Sequence, residues 1–386
     1  MYALILCFLL IYSVLNAPSK FDNFVLRLER TLNSNKSKLL IDEYINKHNN
    51  KLPIIEGNEV NFVYVGNVNS VELIGDMQYW SEESIKLNKI SGTKLFYKKL
   101  IFKDNAKIDY LYKINNSKTI LDPFNTNIQS GAFGTNSVLK MPNSFSIIDY
   151  LNADNTLQYS FNDSLLIDST TNLKYSVSIL LPPNYNEEND FDVVYFNAGK
   201  DYLNFAEAKT TIEKLTSYGF IKPFIAVFIE PNNFIDDYTA ANRFNYCSFI
   251  SNTIVPFIDN NYKTLPNANN RILIGDSYGG NITCLTAVKF YNVFTNFALQ
   301  SPDFSPNNYE VFNLFSNFKN KQLSFCIVGG TYETIINSIN SFVNILDKNN
   351  IKYMYLKFPQ GHSWGLWKQT LADILIFYLP STVINI

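Results

Sequence analysis

The sequence predicts a two-domain chain in which a small all-β sandwich precedes an α/β domain with a mostly parallel sheet and helices on both faces. Near-continuous apolar segments alternate with helical ones from about residue 165, and such strands are typical of a buried parallel sheet. Before them, short segments of alternating polarity are separated by Gly, Asn and Asp, which favours antiparallel strands. With 386 residues, of which 46% are hydrophobic and 17% charged, the chain is long enough to bury two cores.

The first seventeen residues, MYALILCFLLIYSVLNA, form an apolar run that is short for a membrane span and is followed by a polar chain. We expect a secretory signal peptide over residues 1–17, and hence a protein that is secreted or resides in the secretory or endolysosomal lumen, with no stable membrane span after signal removal. The run lacks Lys and Arg, and Pro18 follows Ala17, so an uncleaved anchor is the alternative. Four glycosylation sequons fit this route, at Asn35, Asn115, Asn162 and Asn281.

The cysteines are too few for a disulfide scaffold. Cys7 would leave with the signal, so Cys247, Cys284 and Cys326 could form at most one disulfide. Cys284 and Cys326 lie in apolar stretches, where the favoured interpretation is a small, buried, hydrophobic side chain.

Two segments precede the α/β domain. Residues 18–52 are predicted to form a helical segment or linker, and residues 53–145 an immunoglobulin-like sandwich. Its predicted strands are EVNFVYVG, SVELIGDMQYW, KLFYKKLIF and KIDYLYKI. Tyr79 and Trp80 end the second of these, where they could stack on a sugar ring or pack in a core or between domains.

Residues 160–386 are predicted to form the α/β domain. Its strands are YSVSILLPP, FDVVYFNAG, FIAVFIEP, RILIGDS, FTNFALQSP, LSFCIVGG and IKYMYLKFP. Its helices are FAEAKTTIEKLTSYG, FISNTIVPFIDNNY (interrupted near Pro256), GGNITCLTAVKFY, INSINSFVNILDKNN and WKQTLADILIFYL. The alternation of the two sets predicts strands that are covered on both faces.

The pentapeptide Gly275-Asp276-Ser277-Tyr278-Gly279 lies between a predicted strand and a predicted helix. Gly-x-Ser-x-Gly in that place predicts a nucleophile elbow, because glycine at the flanking positions lets the backbone bend sharply and the helix pack closely. A serine hydroxyl is a weak nucleophile until a base takes its proton. Ser277 is therefore the candidate nucleophile, and a histidine should follow it in the chain.

Two histidines are present in the whole chain. His48 lies in the polar segment NKHNN, which favours a solvated loop, whereas His362 follows the last predicted strand in LKFPQGHSWGLW and is the candidate general base. A carboxylate should orient its imidazole. Glu333, after LSFCIVGG, is the favoured acid, and Asp303, one strand earlier, is the alternative.

A tetrahedral intermediate needs two backbone donors for its oxyanion. Tyr278 N–H, directly after the nucleophile, is one candidate. The second should come from the loop NAGKDY, in which Gly199 or Lys200 could contribute. Trp364 and Trp367 flank the histidine loop, where they either line the pocket or pack against the last helix.

Two sets of segments resemble known domains. NFVYVG, VELIGDMQYW, IDYLYKI, LDPFNTN and GAFGTNSVL resemble the E-set, immunoglobulin-like domain that precedes the hydrolase in enterochelin esterases, and are similar to glycogen-binding E-set modules. ILLPPNY, VVYFNAGKDYL, FISNTIVPFIDNNY, RILIGDSYGG, VGGTYE and GHSWGLW resemble the putative esterase family of α/β hydrolases, which includes enterochelin esterases, feruloyl-type esterases and mycolyltransferases. This second resemblance covers about residues 165 to 380.

The resemblance implies that Ser277, Glu333 and His362 occupy the triad positions of that family. Two departures stand out. The usual Asp-Gly after the third strand appears as Ala198-Gly199, and the segment FIDDY, at residues 234–238, lacks the family's Arg. These departures argue against a bulky anionic or catecholate siderophore substrate and leave ester hydrolysis untouched.

We therefore expect a serine carboxylic-ester hydrolase that forms an acyl-enzyme on a small-molecule or carbohydrate-linked ester. Acyl transfer to a sugar or lipid hydroxyl is the enzymatic alternative, and a catalytically inactive carbohydrate-binding or interaction protein is the non-enzymatic one. A net charge of −2, without a Lys/Arg block, argues against nucleic acid as a partner. Neither a Walker A motif, a dinucleotide fingerprint nor Cys-x-x-Cys is present, so no metal or organic cofactor is expected.

Overall fold

The computed structural model describes residues 18–31, 33–48, 51–152, 157–183, 185, 189–318, 320 and 322–381. The predicted signal peptide, residues 1–17, lies outside the described residues. Contacts divide the chain into two compact units, one formed by residues 1–128 and 135–144 and the other by residues 129–134 and 145–386. Within the described residues, no helix is both long and apolar enough to cross a membrane.

The first unit begins with two helices, α1 (Lys20–Glu29) and α2 (Ser34–Lys47). Ser19 caps α1, because its hydroxyl accepts a hydrogen bond from the Asp22 N–H at 3.1 Å and the Asp22 carboxylate accepts one from the Ser19 N–H at 3.2 Å. The apolar faces of both helices share a core with the neighbouring strands, in which Phe21 and Ile41 pack together with Val63 and Leu95. The segment predicted as a helix or linker is therefore helical and contributes to the core of this unit.

The described strands that precede the α/β domain form two sheets, with the orders β1-β2-β6-β5 and β4-β3-β7-β10-β9, and β8 also pairs with β7. β2 runs antiparallel to β1 and β6, and β7 runs antiparallel to β3, β8 and β10. The strands are β1 (Ile54–Glu56), β2 (Glu59–Val65), β3 (Val71–Gly75), β4 (Ile85–Lys86), β5 (Asn88–Lys89), β6 (Leu95–Ile101), β7 (Lys107–Ile114), β8 (Lys118–Ile120), β9 (Ile128–Gly131) and β10 (Gly134–Lys140). Antiparallel sheets are what the alternating pattern predicted, and the assignment of this unit to the E-set class stays a prediction.

Tyr79 and Trp80 are both outside the core. Their side chains are 49% and 41% exposed, and both residues have positive φ angles, of 58° and 53°. The Trp80 indole N–H donates to Asp76 Oδ1 at 2.8 Å, which fixes the ring beside the short turn that follows β3. Packing in a core, one of the roles considered for this pair, is therefore wrong.

The second unit contains a sheet of eight strands in the order β11-β12-β14-β13-β15-β16-β17-β18. The six strands from β14 to β18 in this order are parallel, whereas β11 and β12 add an antiparallel edge. The strands are β11 (Ser160–Ile167), β12 (Lys174–Leu181), β13 (Val193–Asn197), β14 (Ile225–Ile229), β15 (Arg271–Asp276), β16 (Asn296–Gln300), β17 (Ser324–Gly330) and β18 (Lys352–Phe358). The predicted α/β fold class is confirmed.

Nine helices are described in this unit: α3 (Gly199–Asn204), α4 (Ala208–Ser217), α5 (Phe234–Thr239), α6 (Arg243–Phe249), α7 (Val255–Asn261), α8 (Ser277–Lys289), α9 (Pro306–Ser316), α10 (Ile336–Lys348) and α11 (Trp364–Tyr378). A π-helical turn, Ile250–Ile254, joins α6 to α7, and Pro256 is the second residue of α7. The predicted interruption near Pro256 therefore lies one turn earlier, because proline fits the first turn of a helix without losing a hydrogen bond.

Both faces of this sheet are buried. Alternate residues of one strand enter different cores, so that Val193 and Tyr195 lie in one and Val194 and Phe196 in the other. This double burial explains why the strands are apolar at nearly every position. Because six of the strands are parallel, their carboxyl ends lie at one edge of the sheet, where the loops that bear the candidate site residues begin.

The three described cysteines, Cys247, Cys284 and Cys326, are buried free thiols. Burial raises the pKa of each thiol, and that of Cys247 rises to about 12. The small-hydrophobe interpretation of Cys284 and Cys326 is therefore confirmed. Cys7 lies outside the described residues.

Candidate active site

Ser277 stands at the junction between β15 and α8. Its φ angle is 49°, a left-handed conformation that costs a non-glycine residue about 1–2 kcal/mol and is typical of a nucleophile elbow. The turn lifts the serine out of the strand, and its side chain is partly exposed although all six residues of β15 are buried. The sequence thus folds here into the strained strand-to-helix turn that the pentapeptide predicted.

The glycines of the elbow have different roles. A Cβ at Gly275 would lie 2.1 Å from the carbonyl oxygen of Gly279, so only glycine allows the strand to meet the helix there. A Cβ at Gly280 would lie 2.8 Å from Pro302 Cβ, whereas one at Gly279 would meet nothing closer than 3.6 Å. The close approach therefore depends on Gly275 and Gly280, and the second glycine of the pentapeptide has room for a methyl group.

His362 lies in the loop between β18 and α11 and reaches the nucleophile. Its Nε2 is 2.9 Å from Ser277 Oγ, within hydrogen-bond distance. The side chain is 35% exposed, and its ring packs edge-on against Trp367, with centroids 5.1 Å apart. Trp364 and Trp367 are only 6% and 5% exposed, so both pack in the core, and Trp367 also supports the imidazole.

Glu333 follows β17 and lies on the other side of the imidazole. Its Oε1 is 3.8 Å from His362 Nδ1, and the residue is 2% exposed. Asp303, the alternative acid, has its carboxylate engaged with the Ser305 N–H at 2.9 Å. The backbone N–H of Asp303 donates to the Ser277 carbonyl at 3.0 Å. The structure thus brings Ser277, His362 and Glu333 together and leaves Asp303 as a support of the elbow backbone.

The acidic groups around His362 favour its protonated form. Burial disfavours the imidazolium, but the Glu333 carboxylate, and after it Asp276 and Asp303, outweigh this effect and raise the pKa of His362. A base with a raised pKa accepts a proton from a serine hydroxyl more readily. The cluster is therefore suited to proton transfer at Ser277.

The loop after β13 carries the remaining candidates, Gly199 and Lys200. The Lys200 N–H already donates to Glu230 Oε2 at 3.2 Å, and a Cβ at Gly199 would lie 2.6 Å from the backbone of Phe228. Ala198 is left-handed, with φ 56°, and its N–H donates to the Tyr238 hydroxyl at 2.7 Å. Of the two candidates, Lys200 thus has its N–H engaged by a carboxylate, and a buried tyrosine holds the turn before them.

A buried network ties this loop to the nucleophile helix. Tyr246 donates to Asn197 Oδ1 at 3.0 Å, and Asn197 Nδ2 donates to Thr283 Oγ1 at 3.0 Å. Thr283 Oγ1 donates in turn to the Gly279 carbonyl at 2.7 Å. The end of β13, from which the loop starts, and the first turn of α8 are therefore tied together, as an oxyanion site with donors from both segments requires.

Sequence reasoning missed two buried groups beside the triad. Asp276, between Gly275 and Ser277, is 6% exposed, and its Oδ1 has no hydrogen-bond partner among the described residues. Burial raises its pKa to about 7. Ser301, directly after β16, is fully buried and contacts Glu333. In the sequence, each of them is marked only as a polar residue at the end of an apolar strand. That pattern does not show which groups the side chain contacts.

The described residues contain no group of three or more His, Cys, Asp or Glu that could hold a metal ion. What they do contain is a serine on a strained elbow, a histidine in hydrogen-bond contact with it and a buried carboxylate beyond, at the edge of a parallel sheet. This combination defines an α/β hydrolase.

The "Putative esterase" family matches residues 169–378, more than half of the chain, and the protein belongs to that family. It is thus an esterase, a hydrolase of carboxylic esters. Among curated proteins, the uncharacterized protein YjcH of Bacillus subtilis is 24% identical over 220 residues, which are 53% of this chain and 91% of that protein.

Two solved structures show the same fold. The ferric enterobactin esterase of Salmonella typhimurium is 14% identical, with a TM-score of 0.73 over 84% of this chain and 95% of that one. A ferulic acid esterase of the anaerobic fungus Anaeromyces mucronatus is 17% identical, with a TM-score of 0.51 over 59% of this chain and 93% of that one.

Proposed function

We propose that the protein hydrolyses carboxylic esters through a serine acyl-enzyme. Ser277 is the nucleophile, His362 the general base and acid, and Glu333 the carboxylate that orients the imidazole and balances its charge. The observation that carries the proposal is the 2.9 Å contact between His362 Nε2 and Ser277 Oγ at an elbow whose serine has a φ angle of 49°. An ordinary Gly/Ser turn has no reason to hold a strained serine against a histidine.

Each step is assigned to a group of the candidate site. His362 takes the Ser277 proton as Oγ attacks the ester carbonyl, and the oxyanion that forms accepts hydrogen bonds from the N–H groups of Tyr278 and Gly199. The imidazolium then protonates the departing alcohol. Water, activated by the same imidazole, attacks the acyl-enzyme, and Ser277 regains its proton as the acid leaves.

The surroundings of Ser277 support an uncharged ester with an apolar or aromatic part. Phe234 is 41% exposed, and its ring lies 6.2 Å from that of Tyr278, next to the nucleophile. The carboxyl groups of Glu333, Asp276 and Asp303 all act on His362, so an anionic substrate group would meet acidic neighbours at this site. Small-molecule esters and sugar-linked aromatic esters fit these features better than an anionic siderophore.

Active-site labelling with a fluorophosphonate probe tests the proposal. Wild type, Ser277→Ala and His362→Ala are labelled and assayed with p-nitrophenyl acetate and longer-chain esters, and circular dichroism checks that each is folded. Wild type should label and turn over, and both variants should lose at least about a thousandfold of the activity. A folded wild type that neither labels nor hydrolyses would refute the proposal in favour of a binding protein. Formation of new esters with added sugars or alcohols, in place of the free acid, would indicate acyl transfer.

We also propose that the protein is exported and that residues 1–17 are removed. The proposal is supported by the apolar run itself and by the exposed sequon residues Asn35, Asn115 and Asn162. Mass spectrometry of protein recovered from the medium of a secreting host should find a chain that begins at or shortly after Pro18. Retention in the membrane with Met1 intact would indicate the uncleaved anchor.

A further inference from the structure

Ser301 lies between the candidate acid and a tryptophan of the last helix. It follows β16 directly, next to β17 in the sheet, and is fully buried. Its Oγ is 2.5 Å from Glu333 Oε1 and 3.0 Å from Trp367 Nε1. The hydroxyl is therefore in contact with both a carboxylate and an indole, and it is shielded from solvent.

Hydrogen-bond chemistry fixes the direction of both contacts. An indole N–H can only donate, so Trp367 gives its hydrogen to Ser301 Oγ. A carboxylate can only accept, so the single hydroxyl hydrogen of Ser301 goes to Glu333 Oε1. The hydroxyl thus cannot turn away from Glu333 without losing a bond, and it acts as a fixed donor.

The oxygen that accepts from Ser301 is the one that faces the base. Glu333 Oε1 lies 3.8 Å from His362 Nδ1, whereas the other oxygen, Oε2, is buried without a hydrogen-bond partner among the described residues. Ser301 therefore determines how the carboxylate is rotated, and hence which oxygen meets the imidazole. A hydrogen bond from a hydroxyl to a carboxylate is among the stronger hydrogen bonds in proteins.

The backbone of Ser301 also indicates that its side chain is used. Its φ angle is 47°, a conformation that glycine adopts freely and that is strained for serine. The Ser301 N–H donates to the Val328 carbonyl at 2.9 Å, which holds the residue against β17. The two side-chain hydrogen bonds and this backbone hydrogen bond together offset the strain of the turn. The turn in exchange directs the Ser301 hydroxyl at Glu333.

We propose that Ser301 is a positioning residue of the esterase: its hydroxyl, oriented by the Trp367 indole, locks the Glu333 carboxylate so that Oε1 faces His362. The proposal rests on the proposed function of the triad. It assigns no contact with substrate to Ser301, and it predicts an effect on the imidazole that can be measured without turnover.

The first test is a titration. His362 and His48 are the histidines of the chain, so proton NMR resolves His362 with His48, in the other unit, as an internal reference. In Ser301→Ala the Glu333 carboxylate loses its fixed orientation, so it favours the imidazolium less and the pKa of His362 falls. The pKa of His48 should stay the same. Ser301→Gly, which suits the positive φ and also lacks the hydroxyl, should give the same shift if Ser301→Ala does not fold.

The second test is kinetic. Ser301→Ala should lower kcat about tenfold with little change in KM, because the loss concerns the charged imidazole of the transition state. In a Glu333→Ala background, the same substitution should change kcat less than about twofold, since the carboxylate that Ser301 holds is gone. An equal loss in both backgrounds, or an unchanged His362 titration, overturns the inference. Wild-type turnover that does not depend on Ser277 would instead overturn the proposed function.

Discussion

Replacing Asp276 by Asn removes a buried ionisable group from directly behind the nucleophile. The Asp276 side chain is nearly inaccessible, and within the part of the chain that the structure describes its Oδ1 has no hydrogen-bond partner. Burial raises the pKa of this carboxyl to about 7, although the neighbouring His362 lowers it in part. The folded protein therefore binds the Asp276 proton more tightly than the unfolded chain, in which the pKa is 3.8.

The sign and size of the effect follow from proton linkage. Between about pH 4 and pH 7 the folded state holds a proton that the unfolded state has lost, so the free energy of unfolding falls as the pH rises through this range and levels off above it. Each pKa unit is worth 1.36 kcal/mol, so Asp276 lowers the free energy of unfolding by about 3 kcal/mol more at pH 8 than at pH 5. In Asp276→Asn this part of the pH dependence is absent.

Urea unfolding at pH 5, 6, 7 and 8 measures the difference. Titrating groups that Asp276 does not influence cancel when the variant is compared with wild type at each pH, so the gain in stability of Asp276→Asn relative to wild type should rise with pH. The same variant should move the acid limb of kcat/KM to lower pH, because the Asp276 carboxylate helps to raise the pKa of His362. A stability difference that is constant within about 0.5 kcal/mol from pH 5 to pH 8 would refute the reasoning.

Two matched pairs of variants test the other assignments. Glu333→Gln should lower kcat for ester hydrolysis about a hundredfold or more. Asp303→Asn should change kcat only a few fold, because the Asp303 carboxylate caps its own turn. A larger loss in Asp303→Asn than in Glu333→Gln would make Asp303 the acid. Gly280→Ala places a methyl group 2.8 Å from Pro302 Cβ and should lower the free energy of unfolding by about 1–3 kcal/mol. Gly279→Ala, whose methyl group would be no closer than 3.6 Å to a neighbouring atom, should be tolerated. Equal midpoints of urea unfolding for the two variants would contradict this expectation.

The predictable part of the site depends on local pattern. A polar pentapeptide after an apolar strand and before a helix predicts the elbow, and in the structure β15 ends and α8 begins at this point, with Ser277 as the first residue of the helix. Two histidines leave little choice of base, and the one after the last strand is the one in contact with the serine. Parallel strands end at a common edge, so residues far apart in sequence could be assigned to one site before any distance was known.

The remaining features depend on register between elements, which local pattern does not encode. The antiparallel edge strand β11, SFNDSLLI, is mostly exposed, and its apolar residues do not alternate with polar ones, so it gave no strand signal. The packing of α1 and α2 against the strands of the first unit depends on tertiary contacts that their amphipathic pattern permits without requiring. Burial of Asp276 and the contact between Ser301 and Glu333 arise from the way three neighbouring strand ends meet, so neither follows from its own segment.

The contacts at the ends of β16 and β17 also explain the choice between the two acid positions. An acid after β16 could approach the imidazole from one strand end and an acid after β17 from the next, which is why the sequence left Asp303 and Glu333 both open. In the structure the residue directly after β16 is Ser301, and it donates its hydroxyl hydrogen to the acid after β17. The two strand ends therefore have complementary roles, because β17 supplies the charge and β16 supplies the donor that aims it. A carboxylate at position 301 itself would remove that donor, and the Trp367 indole would then donate to a charge instead of a hydroxyl.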